Sequence, residues 1–183
     1  DRKSDDSTKK YLFKLSDGNF VECVLLEAPS DDDGKIRKTL CVSTQVGCAC
    51  GCRFCASAMR GFVRNLSACE IVAQALPFVK RSVENGKKEA KFEFENIVVM
   101  GMGEPLVNFD NLMAALAIFN ASDKFGFGAR RITVSTCGIA DRIEKLAEIG
   151  FPYRLAISLH GATDEVRSRI MPINKKYPLS ALI

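Results

Sequence analysis

Four cysteines fall within eight residues, Cys48, Cys50, Cys52 and Cys55. Three of them keep the spacing Cys48-x3-Cys52-x2-Cys55. Three thiolates on one loop can hold three irons of a cubane iron–sulfur cluster and leave the fourth iron open, as catalytic metal sites keep one position free. Cys50 opens a second reading, a four-thiolate zinc site with Cys48, Cys52 and Cys55. The run C-x-C-x-C-x2-C is cramped for tetrahedral zinc, whose ligand pairs are usually spaced C-x2–4-C. No Asp or Glu occurs between Cys41 and Cys69, whereas Arg53, Arg60 and Arg64 do. Their charge offsets thiolate or cluster charge, or contacts phosphate. Cys23, Cys69 and Cys137 read as small buried hydrophobes. Cys41 alternates with Val42 in a strand pattern, so one of the two faces an interior, where a functional thiol is possible.

The elements that must position this loop follow from the patterning. The charged first ten residues, DRKSDDSTKK, read as a flexible, solvated tail. Tyr11–Leu15 and Phe20–Leu26 read as strands joined at Asp17-Gly18, a strong hairpin signal. The span 29–38 reads as a polar loop and 39–46 as a β-branched strand leading into the cysteines. Ser67-x-x-Glu70 is a capping box ahead of an apolar stripe at Ile71, Ala75 and Val79, with Pro77 set to shorten that helix. Strands are expected at 96–100, 131–135 and 153–159. Helices are expected after Asn108 or Asp110 (Leu112, Ala115, Leu116 and Phe119 on one face), over 141–149 and after Thr163, ending at Gly150 and Pro172 for the last two. The alternation of strand and helix, about four times at roughly thirty residues, signals a parallel sheet of βαβ units in barrel or doubly wound form. A complete eight-fold barrel needs about 250 residues, so 39–183 holds part of one, preceded by hairpin and loop over 11–38.

The chain has 183 residues, 47 % hydrophobic and 26 % charged, with 26 Lys and Arg against 22 Asp and Glu. That excludes a disordered chain, and no apolar run approaches a membrane span. The bunched cysteines and the missing secretory segment argue against a disulfide scaffold. A net charge of +4 is compatible with a nucleic-acid partner without requiring one. The chain starts at Asp1 rather than Met, as a partial or processed chain would.

Four segments in order, CVSTQVGCACGCRFCASAMRGFVRNLSACEI, VVMGMGEPLVN, RITVSTCG and LAISLHGATDEVRSRIMPINKKY, resemble the radical S-adenosylmethionine (SAM) dual-specificity rRNA/tRNA adenine-C2 methyltransferases. The resemblance runs from about Tyr11 to the end. It implies an α/β fold, a partial (β/α) radical SAM barrel of parallel strands behind an N-terminal β-hairpin. Cys48, Cys52 and Cys55 would ligate a [4Fe-4S] cluster whose open iron S-adenosyl-L-methionine chelates. Gly103 and Glu104 would bind the SAM amino group, and Ser135, Ser158, Leu159 and His160 would line its ribose and carboxylate side. Cys41 aligns with the family's resolving cysteine and Glu22 with a carboxylate proposed there as general base. Without the resemblance, Glu104 reads as a turn carboxylate, His160 as a satisfied polar group and Glu22 as an edge-strand carboxylate in solvent.

The chemistry so implied is radical, because adenine C2 is not nucleophilic. One SAM methylates a second family cysteine, expected beyond Ile183. Another yields a 5′-deoxyadenosyl radical that activates that methyl group, and Cys41 resolves the adduct through a disulfide. The implied partners are 23S rRNA and tRNA and an external flavodoxin-like reductant, with no membrane. The implied state is a cytoplasmic monomer. An N-terminal RNA-binding domain of the family has no counterpart here, so the chain alone is expected to bind cluster and SAM without completing turnover. Adenine-C8 methylation, another radical SAM reaction, and a non-enzymatic zinc- or cluster-binding RNA-binding module are the alternatives. GMGEP, VST and SLH at three strand ends favour the enzyme.

Overall fold

Alternating apolar residues on either side of Asp17-Gly18 make the first ribbon. In the computed structural model β2 (Lys9–Lys14) pairs antiparallel with β3 (Phe20–Pro29). Gly18 takes φ +85° in the turn, where an L side chain would be strained. The structure describes residues 2–3, 8–29, 34–84 and 87–183. Of the expected tail, β1 (Arg2–Lys3) pairs with Lys9 and Lys10, and positions 1 and 4–7 lie outside the described residues. The hairpin therefore starts two residues earlier than Tyr11, at Lys9. Strand β3 runs on to Pro29 and β4 (Ile36–Cys41) starts at Ile36, so less of 29–38 is loop than expected.

One seven-stranded sheet has the order β1-β2-β3-β4-β9-β10-β11, with β9 at Asn96–Val99, β10 at Ile132–Thr136 and β11 at Arg154–Ile157. The pairs up to β4 are antiparallel, and β4, β9, β10 and β11 are parallel. The register aligns Leu40, Ile97 and Ile132 in one row and Cys41, Val98 and Thr133 in the next. Leu40, Val42, Ile97, Val99, Ile132 and Val134 are buried. Strand alternation puts Cys41, Val98, Thr133 and Ser135 on the opposite face. Among the described residues the sheet does not close, so this is an open part of a barrel, as expected.

The strand expected over 39–46 is two strands in different sheets. After Cys41 the chain leaves the large sheet, and β5 (Gln45–Gly47) pairs with β6 (Phe62–Asn65). The cause is polar. Ser43 Oγ donates to the Glu22 carbonyl at 2.5 Å and accepts the Met102 N–H at 2.8 Å. The Gln74 side chain bonds both the N–H and the carbonyl of Ser43. Buried polar groups must be partnered, and here those partners lie outside the ladder.

The capping box forms as expected: Ser67 Oγ accepts the Glu70 N–H and Glu70 accepts the Ser67 N–H at the start of α2 (Ala68–Ala73). Pro77 sits in a single 3-10 turn, and Val79 opens β7 (Val79–Glu84), which pairs with β8 (Lys87–Phe92). That ribbon was not expected, although the Asn85-Gly86 dipeptide between the two runs is a hairpin signal. Helix α3 (Phe109–Asn120) buries Leu112, Ala115, Leu116 and Phe119. Helices α4 (Ala140–Glu148) and α5 (Asp164–Ile170) follow β10 and β11, with Thr163 capping α5 through the Val166 N–H. Among the described residues, no helix is long and apolar enough to cross a membrane.

Candidate active site

The C-terminal ends of β9, β10 and β11 meet beneath the cysteine loop. Gly103, just past β9, has φ +102°, and a Cβ there would lie 2.5 Å from the Gln45 side chain. Only glycine lets the strand end pass β5 so closely. Glu104 is buried. Its Oε1 accepts the Leu106 N–H at 3.0 Å, its Oε2 accepts the Cys137 N–H at 2.8 Å, and its own N–H donates to Gln45 Oε1 at 2.8 Å. The carboxylate thus caps a 3-10 turn over Pro105–Asn108 and ties the end of β9 to the end of β10. A carboxylate offers about four acceptor sites, so two backbone bonds leave capacity for a cationic ligand group.

Ser135 on β10 and Ser158 just beyond β11 stand with their Oγ atoms 3.3 Å apart. His160 has φ +54°, rare for a residue with a side chain. Its ring packs on Phe54 of the cysteine loop, centroids 4.7 Å apart. The structure therefore brings together Gly103, Glu104, Ser135, Ser158, Leu159 and His160, on three strand ends facing one loop.

That loop is fixed at both ends. Gly47 has φ +75°, and a Cβ on it would stand 1.8 Å from the Gly61 carbonyl oxygen, which accepts the Cys48 N–H at 3.0 Å. Farther along, α1 (Ala56–Met59) starts at Cys55. The Arg53 N–H donates to the Ile170 carbonyl at the end of α5 (2.9 Å). Cys48 is buried, and Cys52 and Cys55 are half-buried. Burial pushes the Cys52 thiol up first, and the nearby Cys48 and Cys55 sulfurs push it further. The Cys48 thiol is raised by its hydrogen bond with Cys50 and by burial. Accumulated thiolate charge in one place is what a multivalent metal centre relieves, so this donor set fits an iron–sulfur cluster.

Glu22 and Cys41 share the sheet face on which the loop lies. Val24 pairs with Cys41, and Glu22 is two residues from Val24 on the same face. Glu22 is half-exposed, bonds Lys10 at 2.9 Å, and lines a cavity of about 170 Å³ with Ala56, Ser57, Arg60 and Met102. Cys41 is buried, and burial pushes its thiol up to about 11.

Other readings change. Arg64 does not face the thiols. It donates through Nε to Asp17 at 2.6 Å and through both Nη atoms to Glu70 at 2.8 and 2.9 Å. Cys69 is exposed, not buried. Arg130 and Arg131 line a cavity of about 820 Å³ at the other end of the parallel strands. Sequence reasoning missed Arg167, which is fully buried and donates to the carbonyls of Leu159, Cys137 and Tyr177 and to Asn174 Oδ1. It braces the strand ends from behind, and an isolated Arg in an amphipathic helix carries no sequence signal of this. Sequence reasoning also missed the contact of Cys50 with Cys137, Sγ to Sγ 3.5 Å.

A cysteine loop over the C-terminal ends of parallel strands defines a class, and comparison with known proteins agrees. The radical SAM superfamily profile matches residues 42–182, and the chain belongs to that superfamily. Its cofactors are a [4Fe-4S] cluster and SAM. A protein of Opitutus terrae named "Probable dual-specificity RNA methyltransferase RlmN 3" is 54 % identical over 187 residues, covering 100 % of this chain and 50 % of its own length. The Campylobacter fetus "Dual-specificity RNA methyltransferase RlmN" is 50 % identical, covering 98 % of this chain and 51 % of itself. The crystal structure of a radical SAM methyltransferase from Sphaerobacter thermophilus superposes with TM-score 0.85 at 44 % identity, over 99 % of this chain and 50 % of that one. The chain spans about half the length of the curated relatives it matches.

Proposed function

We propose that this chain forms the cluster- and SAM-binding half of a methyltransferase that modifies C2 of adenosine in 23S rRNA and tRNA. The observation that carries the reading is the packing of Phe54, between Cys52 and Cys55, on His160, which lays the cysteine loop against strand ends bearing Glu104, Ser135 and Ser158. In this reading Cys48, Cys52 and Cys55 hold the cluster. The cluster and SAM, when bound, supply radical chemistry, which methylation of a non-nucleophilic adenine carbon requires.

The chain's own residues bind and orient. Glu104, fixed by the Leu106 and Cys137 N–H groups, presents its remaining acceptor capacity to the SAM ammonium. Gly103 lets that ligand approach the backbone. The Ser135 and Ser158 hydroxyls, with the Leu159–His160 backbone, face the ribose and carboxylate. Glu22, beside the small cavity under α1, is positioned to hold a proton at the substrate base. Cys41, buried on the same face, is the resolving thiol. Named relatives act on RNA and so motivate an unstacked adenosine entering over this face. The division into hairpin and loop (11–38) and partial barrel (39–183), a flavodoxin-like electron donor, a monomeric state and a cytoplasmic location belong to the same proposal.

The test is anaerobic reconstitution with iron and sulfide, followed by SAM and strong reductant. Release of 5′-deoxyadenosine is expected, and its abolition by Cys52→Ala. Nucleoside analysis of treated 23S rRNA and tRNA separates 2-methyladenosine from 8-methyladenosine. A reconstituted protein that binds no SAM contradicts the reading.

A further inference from the structure

Two buried sulfurs outside the Cys48-x3-Cys52-x2-Cys55 spacing, those of Cys50 and Cys137, lie beside Glu104. Cys50 Sγ, Cys137 Sγ and a Glu104 carboxylate oxygen all lie within 4.8 Å of one another, and all three residues are buried. The two sulfurs are 3.5 Å apart. A tetrahedral zinc with Zn–S bonds of about 2.3 Å spaces its sulfurs about 3.8 Å apart, so this pair already stands near metal-ligand separation. The three donors come from three places in the fold: the cysteine loop, the residue after β10 and the turn after β9. Glu104 and Cys137 are each held by further bonds. The Leu106 and Cys137 N–H groups orient the Glu104 carboxylate, and Arg167 Nη2 donates to the Cys137 carbonyl. Metal sites use such outer partners to aim their ligands.

We propose that Cys50, Cys137 and Glu104 form a second metal site, which shares the cysteine loop through Cys50 but uses none of the three cluster cysteines, and that takes a thiophilic divalent cation of the zinc type in the cluster-free protein. Binding releases the two thiol protons to solvent, the two thiolates and the carboxylate supply three ligands, and the fourth position stays open to water. Cys52 and Cys55 are not members. The cation uses the acceptor capacity of Glu104 that SAM would need. That competition rests on the proposed function, whereas the site itself does not.

The test is titration of the anaerobic, cluster-free chain with Co2+, whose thiolate charge-transfer and tetrahedral visible bands report the ligands directly. One equivalent is expected to bind. Cys50→Ala and Cys137→Ala should each weaken Co2+ affinity at least about 10-fold, and Cys52→Ala and Cys55→Ala should leave the spectrum unchanged. Reconstitution of the cluster in Cys50→Ala serves as the control that this variant is folded. A cobalt spectrum that survives both Cys50→Ala and Cys137→Ala, or one abolished by Cys52→Ala, overturns the proposal, as does the absence of any thiolate band. Failed cluster reconstitution in the unmodified chain counts against the proposed function alone, because the cobalt readout does not pass through it.

Discussion

The Glu104 carboxylate accepts N–H bonds from Leu106 and Cys137, so removing it leaves two buried donors without partners. Glu104→Ala is expected to lower stability by about 2 kcal/mol, the cost of unsatisfied buried groups, measured by chemical denaturation. The same change should weaken SAM binding roughly thirty- to a hundred-fold, the equivalent of a charge-assisted bond of about 2–3 kcal/mol, measured by calorimetry on folded, reconstituted protein. Unchanged affinity would remove Glu104 from the site. Arg167 presents the inverse case, a buried cation whose described acceptors are three carbonyls and one amide oxygen. Arg167→Met leaves those acceptors unpaired and should cost about 3 kcal/mol. Glu104 was legible because its neighbours form a motif. Arg167 was not, because its role depends on strand ends that only the fold brings together.

At the scale of elements, Arg64 fastens the hairpin turn, β6 and the start of α2 through Asp17 and Glu70. Hydrogen bonds from Arg64, with those from Ser67, hold the Glu70 carboxyl at about 2, below its ordinary 4.5. A folded-state pKa below the unfolded one gives stability that is complete above pH about 4.5 and lost as pH falls through about 2. The pair is partly solvated, so about 1 kcal/mol is at stake. Glu70→Gln should flatten this part of the acid dependence of the denaturation midpoint, and an unaltered acid slope would refute it. Gly47→Ala forces a Cβ into the Gly61 carbonyl and should unseat the base of the cysteine loop, seen as loss of cluster reconstitution. Most elements were readable from periodicity and caps, Ser67 and Thr163 included. The strand across Val42–Gln45 was misread because Ser43 and Gln45 look compatible with a β pattern while their side chains bond other elements.

For the molecule as a whole, motif order carried more than composition did. The four quoted segments bring the cysteine loop, Glu104, Ser135 and Ser158 to one end of the parallel strands, whereas a net charge of +4 gave no direction to the site. The larger cavity opens at the opposite end, among Arg130, Arg131 and Arg154, so size alone would have misplaced the chemistry. Cys50 and Cys137 are 87 residues apart in sequence, and only the packing of loop on sheet made their contact visible. The central claim is that Cys48, Cys52 and Cys55 hold one [4Fe-4S] cluster with an open iron beside Glu104. Electron paramagnetic resonance of the anaerobically reconstituted, reduced chain, recorded with and without SAM, tests it most directly. The account predicts a cluster signal that SAM perturbs, that persists in Cys50→Ala, and that is absent in Cys52→Ala. A cluster retained in Cys52→Ala, or a signal indifferent to SAM, would contradict it.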